Sequence, residues 1–193
     1  MKTKSIVLSV LLVCICTALS AQENKADQRV KLARQLYPLR LDQVGTIKRY
    51  EEDGIPSINY LTSIRQQNWA GSGMSKDEMK YYYREIEGEA DPRPVDYVLL
   101  FIRRTYNMGS MNVFEEYTYD DDGNPLFWFC RYGFEGQKRN EMRGYFDADG
   151  TPVRSLNKSD ATPEEINARF SAARKNFFLF KQAFNALYKV QYP

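Results

Sequence analysis

The 193-residue chain carries 27 Lys and Arg against 25 Asp and Glu, with three cysteines and no histidine. The missing histidine excludes Ser-His-Asp and Cys-His nucleophile systems and every His-ligated metal site. The small net charge of +2 leaves nucleic acid without an electrostatic footprint.

Lys2 and Lys4 precede an apolar run from Ile6 to Ile15, and Thr17–Gln22 is small and polar. This order predicts a signal peptide over residues 1–21, cut after Ala21 or after Ser20. The apolar run has about ten residues, against the ~20 of a spanning helix, so no transmembrane anchor is expected after cleavage. Cys14 follows Val13 and Cys16 follows Ile15. Neither offers the small preceding residue that lipid attachment requires. Loss of the leader's two lysines would leave 25 basic and 25 acidic residues, a neutral chain. Only Cys130 would remain, so no intramolecular disulfide is expected in an oxidising compartment. Residues 22–193 are long enough for a single packed domain.

A helix is expected from near Ala26, with Val30, Ala33, Leu36 and Tyr37 at helical spacing. Pro38 should end or kink it. A second short helix would carry Leu41, Val44 and Ile47 towards Tyr50. Strands are expected near 58–68, 78–87, 95–106, 111–119, 125–134, 138–147 and 151–156, separated by short Gly, Pro and Asp turns. Short connections favour a sequential antiparallel meander of about six or seven strands. Val98–Ile102 is apolar without a break, which suits a central strand covered on both faces. In the 126–132 strand, Leu126, Trp128, Cys130 and Tyr132 should share one face and Phe127, Phe129 and Arg131 the other. Thr162-Pro163-Glu164-Glu165 starts a final helix, with an N-cap, a proline at the first helical position and acids in the first turn. Ile166, Phe170, Ala173, Phe177, Phe180, Phe184 and Leu187 form its apolar stripe, which should dock on the sheet. The expected class is therefore α+β: N-terminal helices, an antiparallel meander and a C-terminal amphipathic helix packed on it.

Asp120–Leu126 (DDDGNPL) returns at a constant offset of 27 residues as Asp147–Val153 (DADGTPV), each after aromatics. Glycine after aspartate supplies the positive φ of a tight hairpin. The acidic positions imitate the start of an EF-hand loop. Its sixth position holds Pro125 where glycine belongs, and its twelfth holds Arg131 where glutamate belongs. Pro152 and Lys158 break the second copy in the same way, so no metal site and no cofactor are expected.

The segment Tyr117-Thr118-Tyr119-Asp120-Asp121-Asp122-Gly123-Asn124-Pro125-Leu126 resembles a YD repeat, the hairpin of Rhs-type shells and cell-surface proteins. Aromatic strands, Asp/Gly turns and a closing helix together resemble uncharacterised exported domains of Gram-negative bacteria. The first resemblance implies a hairpin, and neither implies an activity.

The aromatic surplus, 14 Tyr, 11 Phe and 2 Trp, points to a core and to a binding face. In Tyr81-Tyr82-Tyr83 one sheet face should be core and the other wet. Tyr and Arg sharing a wet face are typical of binding surfaces. The candidate ligand-binding residues are Trp69, Tyr81, Tyr83, Arg103, Tyr119 and Arg143. Cross-strand Arg–Glu pairing on a solvated sheet is the simpler use of Arg84, Arg103, Arg104, Arg131, Arg139 and Arg143. The expected function is a non-catalytic binding or interaction module, periplasmic or extracellular. Its partner would be a glycan, an apolar small molecule or an envelope protein. The alternative is a carboxylate-dependent glycan hydrolase drawing on Glu85, Glu87, Glu115, Glu116 or Glu141, because two carboxylates suffice for that chemistry.

Overall fold

The computed structural model describes residues 25–45, 58–69, 73–87, 94–137 and 139–191. The predicted leader and the turn near Gly54 and Pro56 lie outside them. A helix α1 covers 25–45. Seven strands follow: β1 (Asn59–Trp69), β2 (Gly73–Glu87), β3 (Pro94–Met108), β4 (Met111–Tyr119), β5 (Pro125–Phe134), β6 (Asn140–Phe146) and β7 (Pro152–Lys158). Helix α2 (Pro163–Gln191) closes the chain. The strands form one sheet in sequence order, each pair antiparallel. The fold is the α+β meander that the sequence predicts. Strand β2 starts earlier than expected, because the polar stretch Met74–Asp77 pairs with Arg65–Asn68.

Helix α2 lies across one face. The Thr162 amide donates to Glu165 Oε2 (3.0 Å) and the Glu165 amide donates to Thr162 Oγ1 (3.3 Å), a capping box that fixes its start. Phe170, Ala173, Phe177, Phe180, Phe184 and Tyr188 are its buried stripe. They meet Tyr81, Tyr83, Tyr117, Tyr119, Trp128 and Phe146 of the sheet. Most ring pairs are tilted or edge-on, as aromatic quadrupoles prefer. Tyr119 Oη donates to the Phe177 carbonyl (2.7 Å), satisfying a fully buried hydroxyl. Leu187, expected in the stripe, is 37% exposed and Tyr188 takes its place. The buried positions from Phe177 onward step by three, four and four residues, which carries the stripe to 188. Gly144 lets α2 approach: a Cβ there would lie 2.8 Å from ring atoms of Phe146 and Phe170.

Helix α1 crosses the other face. The sequence splits this region into two helices at Pro38, but the structure has one helix running through it. Val30 and Ala33 pack on Leu126, Phe127 and Tyr145, and Val44 packs on Tyr82, Leu100 and Phe101. One continuous apolar stripe on the sheet offsets the ~3 kcal/mol that an interior proline costs. Bulges adapt this face. Leu100 is the extra residue between the Tyr82–Phe101 and Tyr83–Leu99 pairs, so Leu100 and Phe101 both turn to α1. Leu126 is extra between Thr118–Phe127 and Tyr119–Pro125. It therefore packs with Phe127 and Phe129, not with Trp128 and Cys130 as strict alternation predicts.

The two repeated turns are docking points for the helices. Both have the same frame: the Asp120 amide donates to the Asn124 carbonyl (3.0 Å), and the Asp147 amide donates to the Thr151 carbonyl (2.8 Å). Gly123 and Gly150 hold φ of 73° and 78°. From α1, Arg29 bonds Asp120 Oδ2 (3.1 Å), the Phe146 carbonyl (3.0 Å) and the Pro125 carbonyl. Lys25 pairs with Asp147, and Arg40 with Asp121. From α2, Lys181 Nζ donates to the Gly123 carbonyl (2.7 Å). Asp120 also accepts from the Asn124 amide (2.8 Å), so its carboxylate serves the turn and the helix.

Candidate functional site

The strand register lays the α1 face out in transverse rows. The row nearest the repeated turns is Tyr82, Phe101, Thr118, Phe127 and Tyr145 on β2–β6. All five are buried, and α1 lies over them. The next row is Lys80, Arg103, Glu116, Phe129, Arg143 and Leu156. The third is Glu78, Thr105, Phe114, Arg131, Glu141 and Lys158. In the second row α1 reaches only Glu116 and Phe129, which are buried; among the described residues no element covers the rest of these two rows.

A groove of about 470 Å³ opens where α1 ends its coverage. Its helix wall is Ala33, Arg34, Tyr37, Pro38 and Leu41. Its floor runs from Phe114 and Glu116 through Phe129 and Arg131 to Glu141, Arg143 and Leu156. A smaller depression of about 280 Å³ continues it past Phe114 and Arg131 to Thr105, Asn112 and Arg139.

Each charge in the groove is held differently. Glu116 is 2% exposed. Arg103 donates to its Oε1 through Nε (3.0 Å) and Nη2 (2.8 Å), and the Tyr37 hydroxyl donates to its Oε2. Burial, followed by the Glu116 charge, raises the Tyr37 hydroxyl pKa well above its usual value. Glu141 faces two arginines, with Arg143 at 2.6 Å and Arg131 at 4.0 Å. Those two side chains are 42% and 44% exposed, so their guanidinium groups reach solvent. They flank the Phe129 ring at 5.8 and 5.3 Å from its centroid, within cation–π range.

A larger depression of about 700 Å³ lies at the hairpin ends, among Met74, Lys76, Glu78, Asn107, Phe134 and Glu135. It is built mostly from hairpin ends and has no helix wall. The groove is the more defined site because a helix and a sheet enclose it and several charges converge on it.

The six residues singled out from the sequence do not come together. Tyr81, Tyr83 and Tyr119 are at most 1% exposed and lie in the core under α2. Arg103 and Arg143 lie on the α1 face, and Arg143 lines the groove. Trp69 ends β1, and its side chain lies outside the described residues. The expected wet face at Tyr81–Tyr83 is covered, because Tyr82 packs with Phe101 under α1. Arg–Glu pairing across strands is present, but Glu115 and Glu116 are buried where a solvated face was expected. Adjacent on β4, these two point to opposite faces. Glu115 bonds Trp128 Nε1 (3.3 Å) and pairs with Arg104 (3.4 Å) on the α2 side. Of the acid candidates, Glu116 and Glu141 share the groove, and the Glu87 side chain lies outside the described residues. Cys130 is fully buried, and burial raises its thiol pKa well above the usual value. The groove walls Tyr37, Leu41, Phe114 and Phe129 were not expected as site residues. Only the helical spacing of the first two and the strand alternation of the others pointed to them.

No protein-family model, curated protein or solved structure is similar to this chain.

Proposed function

We propose that this protein is an exported, non-catalytic binding module whose ligand occupies the groove between α1 and β4–β7. The observation that supports it is the partial cover of one sheet face. Helix α1 buries one full row and the Glu116 and Phe129 of the next, and beside them leaves a helix-walled cleft with aromatic floor and accessible arginines. Its volume falls within the ~300–1,000 Å³ usual for small-molecule sites. Export rests on the basic, apolar and small-residue order of residues 1–21. The compartment would be the periplasm or the cell exterior.

Two measurements test this reading. Mass analysis of the protein made in a Gram-negative host should give a chain starting at Gln22, or at Ala21 if the cut follows Ser20. Retention of Met1 and the leader would refute export. Native mass spectrometry of that material should show a bound small molecule, lost when Phe129→Ala and Tyr37→Ala open the groove. An adduct that survives both substitutions would place the site elsewhere.

Glu116 and Glu141 lining one groove supports the second reading, a carboxylate-dependent glycan hydrolase. Against it, Arg103 and Tyr37 already occupy both oxygens of Glu116, leaving neither to protonate a leaving group. Hydrolysis of any glycan that Glu116→Gln abolished would restore it.

A further inference from the structure

The groove combines an apolar body with an unequal charge balance. Ala33, Tyr37, Pro38, Leu41, Phe129 and Leu156 supply apolar surface on both walls. Arg34, Arg131 and Arg143 line it, and Arg139 lies in the adjoining depression. The carboxylates set against them are Glu116 and Glu141. Glu116 is already neutralised from below by Arg103, which holds it through two donors. Glu141 alone therefore faces the lining arginines. It bonds Arg143 closely and Arg131 only at 4.0 Å. Arg34 and Arg139 make no ion pair among the described residues.

We infer that the ligand is a small organic anion: an apolar, ring-sized body carrying one oxyanion head, seated between Arg131 and Arg143. This rests on the groove being the binding site. Each guanidinium presents several donors in a planar fork that matches carboxylate, sulfate and phosphate oxygens. Their guanidinium carbons lie 5.3 and 5.8 Å from the Phe129 centroid, so one ring backs both forks. The apolar body then lies against Phe129 and Leu156 on one side and Pro38 and Leu41 on the other. Glu141 acts as an internal counter-anion. It holds the two arginines in place when the groove is empty and competes with the incoming head.

The test uses the mature chain and isosteric probes. 2-Naphthoate, 2-naphthyl sulfate and 2-naphthyl phosphate carry three different heads on one body, and 2-naphthamide is the neutral counterpart of the first. Titration followed by amide and side-chain NMR should give at least one anionic probe binding about tenfold tighter than 2-naphthamide, the size of one charge-assisted hydrogen bond. Comparison of the three anions assigns the head. Arg131→Met and Arg143→Met should each erase most of that preference. Glu141→Gln should tighten binding of the anion several-fold, an effect that a purely structural Glu141 would not produce. Arg154→Met, outside the groove and paired with Asp27, should leave binding unchanged. Equal binding of 2-naphthamide with shifts at Tyr37 and Phe129 would overturn the anion while leaving the groove as the site. Weaker anion binding in Glu141→Gln would also overturn it. Shifts confined to residues outside the groove, or no binding by any probe, would overturn the inference; in the first case the site assignment falls with it.

Discussion

The two faces of the sheet are each crossed by one helix, and they are packed differently. Under α2 the face is closed from β2 to β6 by rings and small apolar groups, and the Tyr117 and Tyr119 hydroxyls find partners on α2. Under α1 one row is fully closed and the next only at Glu116 and Phe129, and these outer rows alternate arginine, glutamate and phenylalanine. A face packed to the last ring has no room for a partner. A face half packed retains accessible charge on a rigid support, which is where a ligand can be recognised. The contrast places the closed packing on one side and, on the proposed reading, recognition on the other.

Truncation of the α2 face should have the largest effect. Phe177 is fully buried and touches Tyr117, Tyr119 and Phe146. Phe177→Ala should cost about 3–5 kcal/mol in denaturant unfolding. On the other face, Arg143→Met should change stability by about 0.5 kcal/mol or less, since Arg143 reaches solvent and its pair with Glu141 lies at the surface. Similar losses from the two variants would break the division between the faces.

The clamp at the repeated turn should come next. Arg29→Met removes three bonds and leaves Asp120, whose side chain is 9% exposed, without its charge partner and held only by its own turn. A loss of about 2–3 kcal/mol is expected. Exchange at α1 amides should rise before that of the sheet. Uniform loosening of all elements would show that α1 is not separately docked.

The smallest expected effect is a pH dependence. Burial raises the Glu115 pKa above its ordinary 4.5, against the pull of Arg104. A raised carboxyl keeps its proton in the folded chain after the unfolded chain has lost it. Its contribution to stability is therefore complete below the ordinary value and declines as pH rises towards the folded value. Glu115→Gln keeps a partner for Trp128 and removes this decline. The variant's stability relative to wild type should improve as pH is raised from about 4 to 7 in chemical-denaturation curves. A constant difference across that range would show that Glu115 titrates normally.

Much of the scaffold was legible in local sequence. Asp-Gly turns, the unbroken Val98–Ile102 run and the Thr162 cap each specify structure through neighbours a few residues away. The α1 helix was split in two because Pro38 is a local signal. The stripe that overrides it runs from Val30 to Val44 and becomes visible only against the sheet. The site was harder still. Alternation sorts β-residues into two faces without saying which is covered, and at Tyr81–Tyr83 both are. Arg131 and Glu141 meet through the β5–β6 register, and Tyr37 reaches Glu116 across 79 positions of chain. Bulges at Leu100 and Leu126 also shift one face by a residue, which strict period-two reading cannot anticipate.

The bonds of Arg29 to Asp120 and Phe146 span 91 and 117 positions. Every strand, by contrast, pairs with the one made just before it. A chain that emerges amino end first can therefore zip its sheet hairpin by hairpin as it appears. The helix that emerges earliest can seat Val44 on β2 and β3, but its amino half must wait for β5 and β6. The groove is completed by that late docking, so it comes into being only after nearly the whole sheet has formed.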